Sequence, residues 1–219
     1  AHLGVDSVVL SKLGLISKER ADGTWKHRLI WDLLRSQVNE TVVLGERIVL
    51  PRLQDAVEDA LRLRRRHPGL PLEWLVLDIL DAFHNVPVDP AEWRFTCGKV
   101  GHRYVLFKVL CMGGRSAPGI WGRFAACLGR MVASVADPDT TAMEPYVDDP
   151  ILAVVGTLQQ RNVALSLALL VLTLTGFPLA WAKGKLGPTV VWIGAQLATL
   201  RDGISVSVPT AKQDEVRAK

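Results

Sequence analysis

Cysteine is scarce in this sequence, with three in 219 residues, and aromatic side chains make up only 6% of it. An odd number of cysteines set in apolar stretches, Cys97, Cys111 and Cys127, argues against a disulfide framework and predicts reduced thiols in the core. No basic stretch leads into an apolar run and cleavage site, so no secretory leader is expected and the chain is expected to act inside the cell, in cytoplasm or nucleus. No apolar run reaches the roughly 20 residues a bilayer span needs. The longest, Val163 to Phe177, is interrupted by Ser166, Thr173 and Thr175 and reads as a buried helix, so no membrane partner is expected. Internal repeats and low-complexity segments are also missing.

What remains is 49% apolar content, enough for a sizeable core, and a formal charge of +4, a weak pointer to a polyanionic partner. Apolar runs flank Ala21-Asp22-Gly23-Thr24, and an Asp-Gly turn so placed predicts a β-hairpin. Leu53, Ala56, Val57, Ala60 and Leu61 follow helical spacing, closed by the basic run Arg64 to His67 and by Pro68-Gly69. Trp74 to Ile79 and Tyr104 to Leu110 read as strands. After Pro118 a helix is expected with Trp121, Phe124, Ala125, Leu128, Met131, Val132 and Val135 on one face and Ser116 as its N-cap. Tyr146-Val147 and Ile151 to Val155 predict a hairpin with Asp148-Asp149-Pro150 at its turn. Val163 to Thr175 predicts a helix, Val190 to Leu197 a strand, and Gly203 to Val208 the start of another. Hairpin-joined strands interleaved with helices define an α+β fold, an antiparallel sheet with helices packed on one face.

Asp78 lies inside the apolar run Trp74 to Leu80, where an ionised carboxylate costs several kcal/mol unless a partner or metal compensates it. Taken alone it reads as a solvated or arginine-paired acid at a strand end, and Asp148-Asp149 as ordinary turn aspartates. Together, one carboxylate on a strand and two at a neighbouring hairpin tip can converge on divalent cations, which take oxygen ligands and bridge phosphates. Such an arrangement supports two-metal phosphoryl transfer, the chemistry of nucleases, cyclases and polymerases alike.

The residues around the acids choose among these. Leu77-Asp78-Ile79-Leu80-Asp81-Ala82-Phe83-His84-Asn85-Val86-Pro87, Gly113-Gly114-Arg115-Ser116-Ala117-Pro118 and Tyr146-Val147-Asp148-Asp149 resemble, in order and spacing, the three palm motifs of reverse transcriptases. Arg28 to Arg35 with Asn39 resembles the fingers segment before them. Gly176-Phe177-Pro178-Leu179, Lys183 and Trp192-Ile193-Gly194 resemble the later palm motifs. The style is closer to retrotransposon than to retroviral enzymes. The resemblance implies a polymerase palm with an antiparallel sheet backed by helices and a β-hairpin fingers segment. Residues 1–72 would be fingers and connecting helix, 73–199 palm with a fingers insertion near 88–112, and 200–219 the start of a thumb or connection.

It further implies RNA-directed DNA polymerase activity with two Mg2+ ions (Mn2+ as the substitute), dNTPs, and a primed RNA or DNA template, within a longer polyprotein. Asp78 and Asp148 would hold both metals and Asp149 one of them. The amides of Asp81 and Ala82 would receive the triphosphate, Phe83 would exclude a ribose 2′-hydroxyl, and Arg28 would clamp the phosphates, with Lys18 or Arg20 as a second cation. Arg115 and Ser116 would meet incoming base and template, and Lys183, or Lys185, would protonate pyrophosphate. Trp192, Ile193 and Gly194 would hold the primer end.

The sequence departs from the family pattern in three places. Met112 stands where retroviral members place glutamine, and Arg35 and Asn39 are spaced more widely after Asp32. About 25 residues follow Gly194, too few for the usual thumb. An RNA-dependent RNA polymerase is disfavoured by the bulk of Phe83. The other readings are an inactive nucleic-acid-binding fragment derived from a reverse transcriptase and, more distantly, a membrane or structural protein.

Overall fold

The computed structural model describes residues 8–19 and 23–217, in two compact units, Ala1–Ile48 with Asp81–Gly122 and Val49–Leu80 with Arg123–Lys219. In chain order the elements are β1 (Leu10–Glu19), β2 (Trp25–Asp32), α1 (Val38–Thr41), α2 (Leu53–Arg66), β3 (Leu72–Val76), β4 (Cys97–Val100) and β5 (Arg103–Leu106). They continue with α3 (Ala117–Val135), β6 (Thr141–Tyr146), β7 (Asp149–Val155), α4 (Leu158–Leu174), β8 (Lys185–Gly187), β9 (Thr189–Trp192), β10 (Ala195–Thr199), β11 (Ile204–Ser207) and α5 (Thr210–Arg217). The fold is α+β, with antiparallel sheets backed by helices.

In the first unit β1 and β2 form the expected hairpin, in register from Lys12 opposite Asp32 to Glu19 opposite Trp25. Residues 20–22, which include the first half of its expected turn and the candidate cation Arg20, lie outside the described residues. A short parallel pairing of β1 with β4 completes a sheet of order β2-β1-β4-β5. Trp31, Leu33 and Cys111 form its buried centre, with the Phe107 ring 4.2 Å from that of Trp31. The strand expected over Tyr104 to Leu110 ends at Leu106. Phe107 turns inward onto Trp31 while its N–H bonds the Thr96 carbonyl.

In the second unit β6-β7-β3-β8 is antiparallel throughout, and β11-β10-β9 forms a second sheet. Alternation sorts the side chains. Leu72, Trp74 and Val76 of β3 and Ile151, Ala153 and Val155 of β7 meet Ala56, Ala60 and Leu63 of α2 and Val190, Trp192 and Leu197 of β9 and β10. Burying each large side chain there contributes roughly 1.5–3 kcal/mol. Leu152 and Val154 are also buried, so β7 is covered on both faces. On its second face lies α4, whose Arg161 bonds Glu73 Oε2 at 2.9 Å. Helices therefore back both faces, not the single face expected.

Four further expectations are corrected. The Val190 to Leu197 run is two strands, because Ile193 (φ 40°) and Gly194 (φ 84°) turn the chain between β9 and β10. Along α3, Trp121, Ala125, Leu128 and Val132 are buried while Phe124, Met131 and Val135 are exposed. Cys127 shares the exposed side, leaving only Cys97 and Cys111 buried; burial pushes the Cys111 thiol up to about 11. The helix expected over Val163 to Thr175 is α4, which begins earlier, at Leu158, ends at Leu174 and is buried on one side only. Among the described residues no helix is long and apolar enough to cross a membrane.

Candidate active site

Strand β3 continues past Val76 as an irregular extension that still pairs with the neighbouring hairpin. The Leu77 N–H donates to the Pro150 carbonyl (3.1 Å) and the Ile79 N–H to the Asp148 carbonyl (2.8 Å). Leu77 and Ile79 are buried and Asp78 between them is only partly covered, as strand alternation requires. The Asp78 carbonyl accepts from the Ala180 N–H at 2.8 Å, which brings in the turn Trp181–Lys183. From that turn the Lys183 ammonium donates to both Asp78 carboxylate oxygens, at 2.8 and 2.7 Å.

The other two acids come from the hairpin joining β6 to β7. Tyr146 pairs with Asp149, leaving Val147-Asp148 as a two-residue loop. A positive φ at Val147 (51°) but not at Asp148 is the sign pattern of a type II′ turn, normally glycine's place. A β-branched residue held there stores strain of order 1–3 kcal/mol, the kind found where a turn positions functional groups. Asp149 is half-buried and its carboxyl is pushed up to about 6, chiefly by burial, then by the Asp148 and Asp78 carboxylates, with Lys183 partly offsetting them. The three predicted acids therefore lie within one another's field.

Trp192, at the end of β9, is buried and donates its Nε1–H to the Asp149 carbonyl at 2.7 Å. Its ring meets that of Tyr146 edge-on at 6.0 Å. The Ile193-Gly194 turn follows directly and is exposed, so of the predicted primer-holding residues Trp192 is bonded to the acid hairpin and the other two follow it in the chain. Lys185 is exposed in β8, opposite Val76.

The remaining predicted residues belong to the first unit. Asp81 adopts φ 48° and opens the turn Ala82–Asn85; among the described residues neither the Asp81 nor the Ala82 N–H donates to another group. Phe83 is half-buried in that turn. Arg28 and Lys18 are exposed on β2 and β1. Arg115 is exposed, and the Ser116 carbonyl accepts from the Ile120 N–H at 3.0 Å, as an N-cap carbonyl does.

Sequence reasoning left the part played by Asn39 open. Its Nδ2 donates to the Gly113 carbonyl (2.9 Å) and its Oδ1 accepts from the Arg115 N–H (2.8 Å), clamping the loop that presents Arg115. Gly113 (φ 109°) sits so close that a Cβ would lie 2.0 Å from the Trp31 carbonyl oxygen. A second perturbed acid went unpredicted. Glu144 on β6 is pushed up to about 7 by burial and by a hydrogen bond to Asp59, but it faces α2 and lies outside this acid group. No local pattern marks either residue, since their partners are 74 to 85 positions away.

No family model matches the sequence, and no curated protein matches it significantly. Solved structures do. A foamy viral protease-reverse transcriptase, dRH form in complex with double-stranded DNA, superposes with a TM-score of 0.71 at 17% identity over 95% of this chain and 32% of that one. The chain has a reverse-transcriptase-like fold. The foamy viral protease-reverse transcriptase with an RNA/DNA hybrid gives 0.69 at 16% over 94% of this chain and 24% of that one; with double-stranded DNA it gives 0.69 at 16% over 95% and 38%. This chain thus spans about a quarter to two fifths of those proteins, and at such identities the likeness concerns the fold.

Among the described residues no group of three or more His, Cys, Asp or Glu side chains is gathered closely enough to hold a metal ion. The acids nonetheless fit a magnesium-type ion, which binds through one or two carboxylates and takes its other oxygens from water and substrate phosphates. Asp149 is raised chiefly by burial and then by the Asp148 and Asp78 carboxylates, a cost that such an ion would relieve, and Lys183 already sits on Asp78 as a cation.

Proposed function

We propose that this chain is the fingers and palm of an RNA-directed DNA polymerase of retrotransposon type, adding dNTPs to a primer 3′-hydroxyl. The observation that carries the reading is that Asp78, Asp148 and Asp149 lie in one unit, where burial first and then the Asp148 and Asp78 carboxylates push Asp149 toward neutrality. Asp78 and Asp148 would hold two Mg2+ ions (Mn2+ as the substitute), with Asp149 supporting one. The metal would supply charge neutralisation on the phosphates and a more acidic primer hydroxyl.

The chain's own residues do the rest. The N–H groups of Asp81 and Ala82, which donate to no other group among the described residues, offer donors to triphosphate oxygens, and exposed Arg28 and Lys18 add cations from the hairpin. Phe83 fills the space a 2′-hydroxyl would need. Arg115 and Ser116, positioned by Asn39, meet the template and incoming base. Lys183 is a protonated amine beside the acids, suited to hand a proton to departing pyrophosphate. Trp192, bonded to Asp149, fixes the Ile193-Gly194 turn for the primer end.

Partners on this reading are a primed RNA or DNA template, dNTPs and further parts of a polyprotein, inside the cell. Because the chain spans a minor part of its structural neighbours, a second reading is a nucleic-acid-binding fragment without catalysis. Primer extension decides between the two, with Asp148→Ala as the metal-site control. Phe83→Val tests the sugar filter: it should admit ribonucleotides, and an unchanged sugar preference would remove Phe83 from that role.

A further inference from the structure

The sheet β11-β10-β9 is an antiparallel meander, so the chain leaves β11 at the end of the sheet that carries the Ile193-Gly194 turn. Gln196 of β10, close to that turn, pairs with Val191 on one side and with Ser207, the last residue of β11, on the other. Val208 and Pro209 follow, and α5 then begins beside the turn. The Pro209 carbonyl fixes its start by accepting from the N–H groups of Lys212 (2.9 Å) and Gln213 (3.1 Å), and the Gln213 side chain donates back to the Val208 carbonyl at 2.7 Å.

This path brings the exposed Lys212 over the turn. A Cβ on Gly194 would stand 3.2 Å from the Lys212 ammonium, so the glycine leaves that ammonium its place. The turn brings donors of its own, since among the described residues neither the Ile193 nor the Gly194 N–H donates to a backbone carbonyl. Among the same residues no carboxylate pairs with Lys212. Asp214, two positions further along α5, does not share its face. Nor does helix stability account for the lysine, because the dipole of a helix opposes a cation in its first turn. One ammonium and two outward amides, with no acceptor among them, match the oxygens of a phosphate diester.

We propose that Lys212 binds a backbone phosphate of the strand whose end lies on the Ile193-Gly194 turn, adding a charged contact to that turn. The inference rests on reading the turn as primer-holding, and it requires binding but no catalysis. A lysine there acts as a point charge, so it positions the strand without reading its sequence.

Fluorescence anisotropy of the whole chain with a labelled DNA primer annealed to an RNA template, across a series of salt concentrations, tests it. Lys212→Met, at an exposed position, should keep the parent's circular dichroism, weaken binding about fivefold or more at low salt, and reduce the slope of log affinity against log salt by about one. Lys212→Arg should retain the parent's values. Uncharged methylphosphonates placed at each primer phosphate in turn locate the contact: one near the 3′ end should weaken the parent but leave Lys212→Met nearly unaffected. A Lys212→Met chain with the parent's salt slope, or one that stays as sensitive as the parent to every methylphosphonate, overturns this inference alone. A parent that does not bind the duplex, or that ignores every methylphosphonate near the primer end, overturns the primer-holding reading and this inference with it.

Discussion

Lys183 holds both carboxylate oxygens of Asp78, at 2.8 and 2.7 Å, across 105 residues of sequence. The contact ties the turn after α4 to the extension of β3, and it places one positive charge among three carboxylates.

Because the Lys183 ammonium is about half exposed, the ion pair itself contributes little, about 1 kcal/mol or less. Lys183→Met should therefore leave the fold intact. It should also raise Asp149 further above its present value of about 6, since Lys183 is the group that lowers it. A carboxyl-carbon NMR titration of Asp149 in the two proteins checks this; an unmoved Asp149 would show that Lys183 does not reach the acid group.

Asp149 also makes stability depend on pH. Its carboxyl titrates near 3.8 when unfolded and about 6 when folded, so its favourable contribution is complete below 3.8 and is lost as pH rises through about 6. Discounted for partial exposure, the loss is about 1 kcal/mol. Urea unfolding between pH 3.5 and 7.5 should show that decline, Asp149→Asn should remove it, and millimolar Mg2+ should reduce it by drawing the folded value back down. A decline of the same size in Asp149→Asn would assign it to another group.

The loop carrying Arg115 should fail in two distinguishable ways. Asn39→Ala leaves the Gly113 carbonyl and the Arg115 N–H without their partner and should cost about 1–3 kcal/mol, whereas Asn39→Asp keeps the acceptor for Arg115 and should cost less. Gly113→Ala should cost more than Asn39→Asp, because its methyl meets the Trp31 carbonyl and the backbone itself must move. Amide exchange at Arg115 reports each effect locally; equal protection in all three variants would contradict the clamp.

Local patterns were readable in the sequence where a single element decided the outcome. α2 follows its apolar spacing and ends at the arginine run before Pro68-Gly69; the acid hairpin joins the two β-rich runs, but its loop is Val147-Asp148 and not the expected Asp148-Asp149-Pro150, because Asp149 and Pro150 pair with Tyr146 and Pro145. The break between β9 and β10 was hidden, because Ile193 extends the apolar run although it and Gly194 both take positive φ at the turn. On α4 both sides are apolar, so periodicity could not tell the buried side from the exposed one. Of the site, the acids were visible through their motifs. The bonds that position them were not: Lys183 to Asp78, Trp192 to Asp149 and Asn39 to Arg115 each join residues 43 to 105 positions apart.

The central claim is that these acids carry metal-dependent DNA synthesis on a primed template, and one assay addresses it directly. Extension of a DNA primer on an RNA template, with Mg2+ and dNTPs, should proceed with this chain and cease with Asp148→Ala, while the variant keeps the parent's fold by circular dichroism. Extension that persists in Asp148→Ala, or none from the parent, would contradict the account and leave a fragment with the fold but not the chemistry.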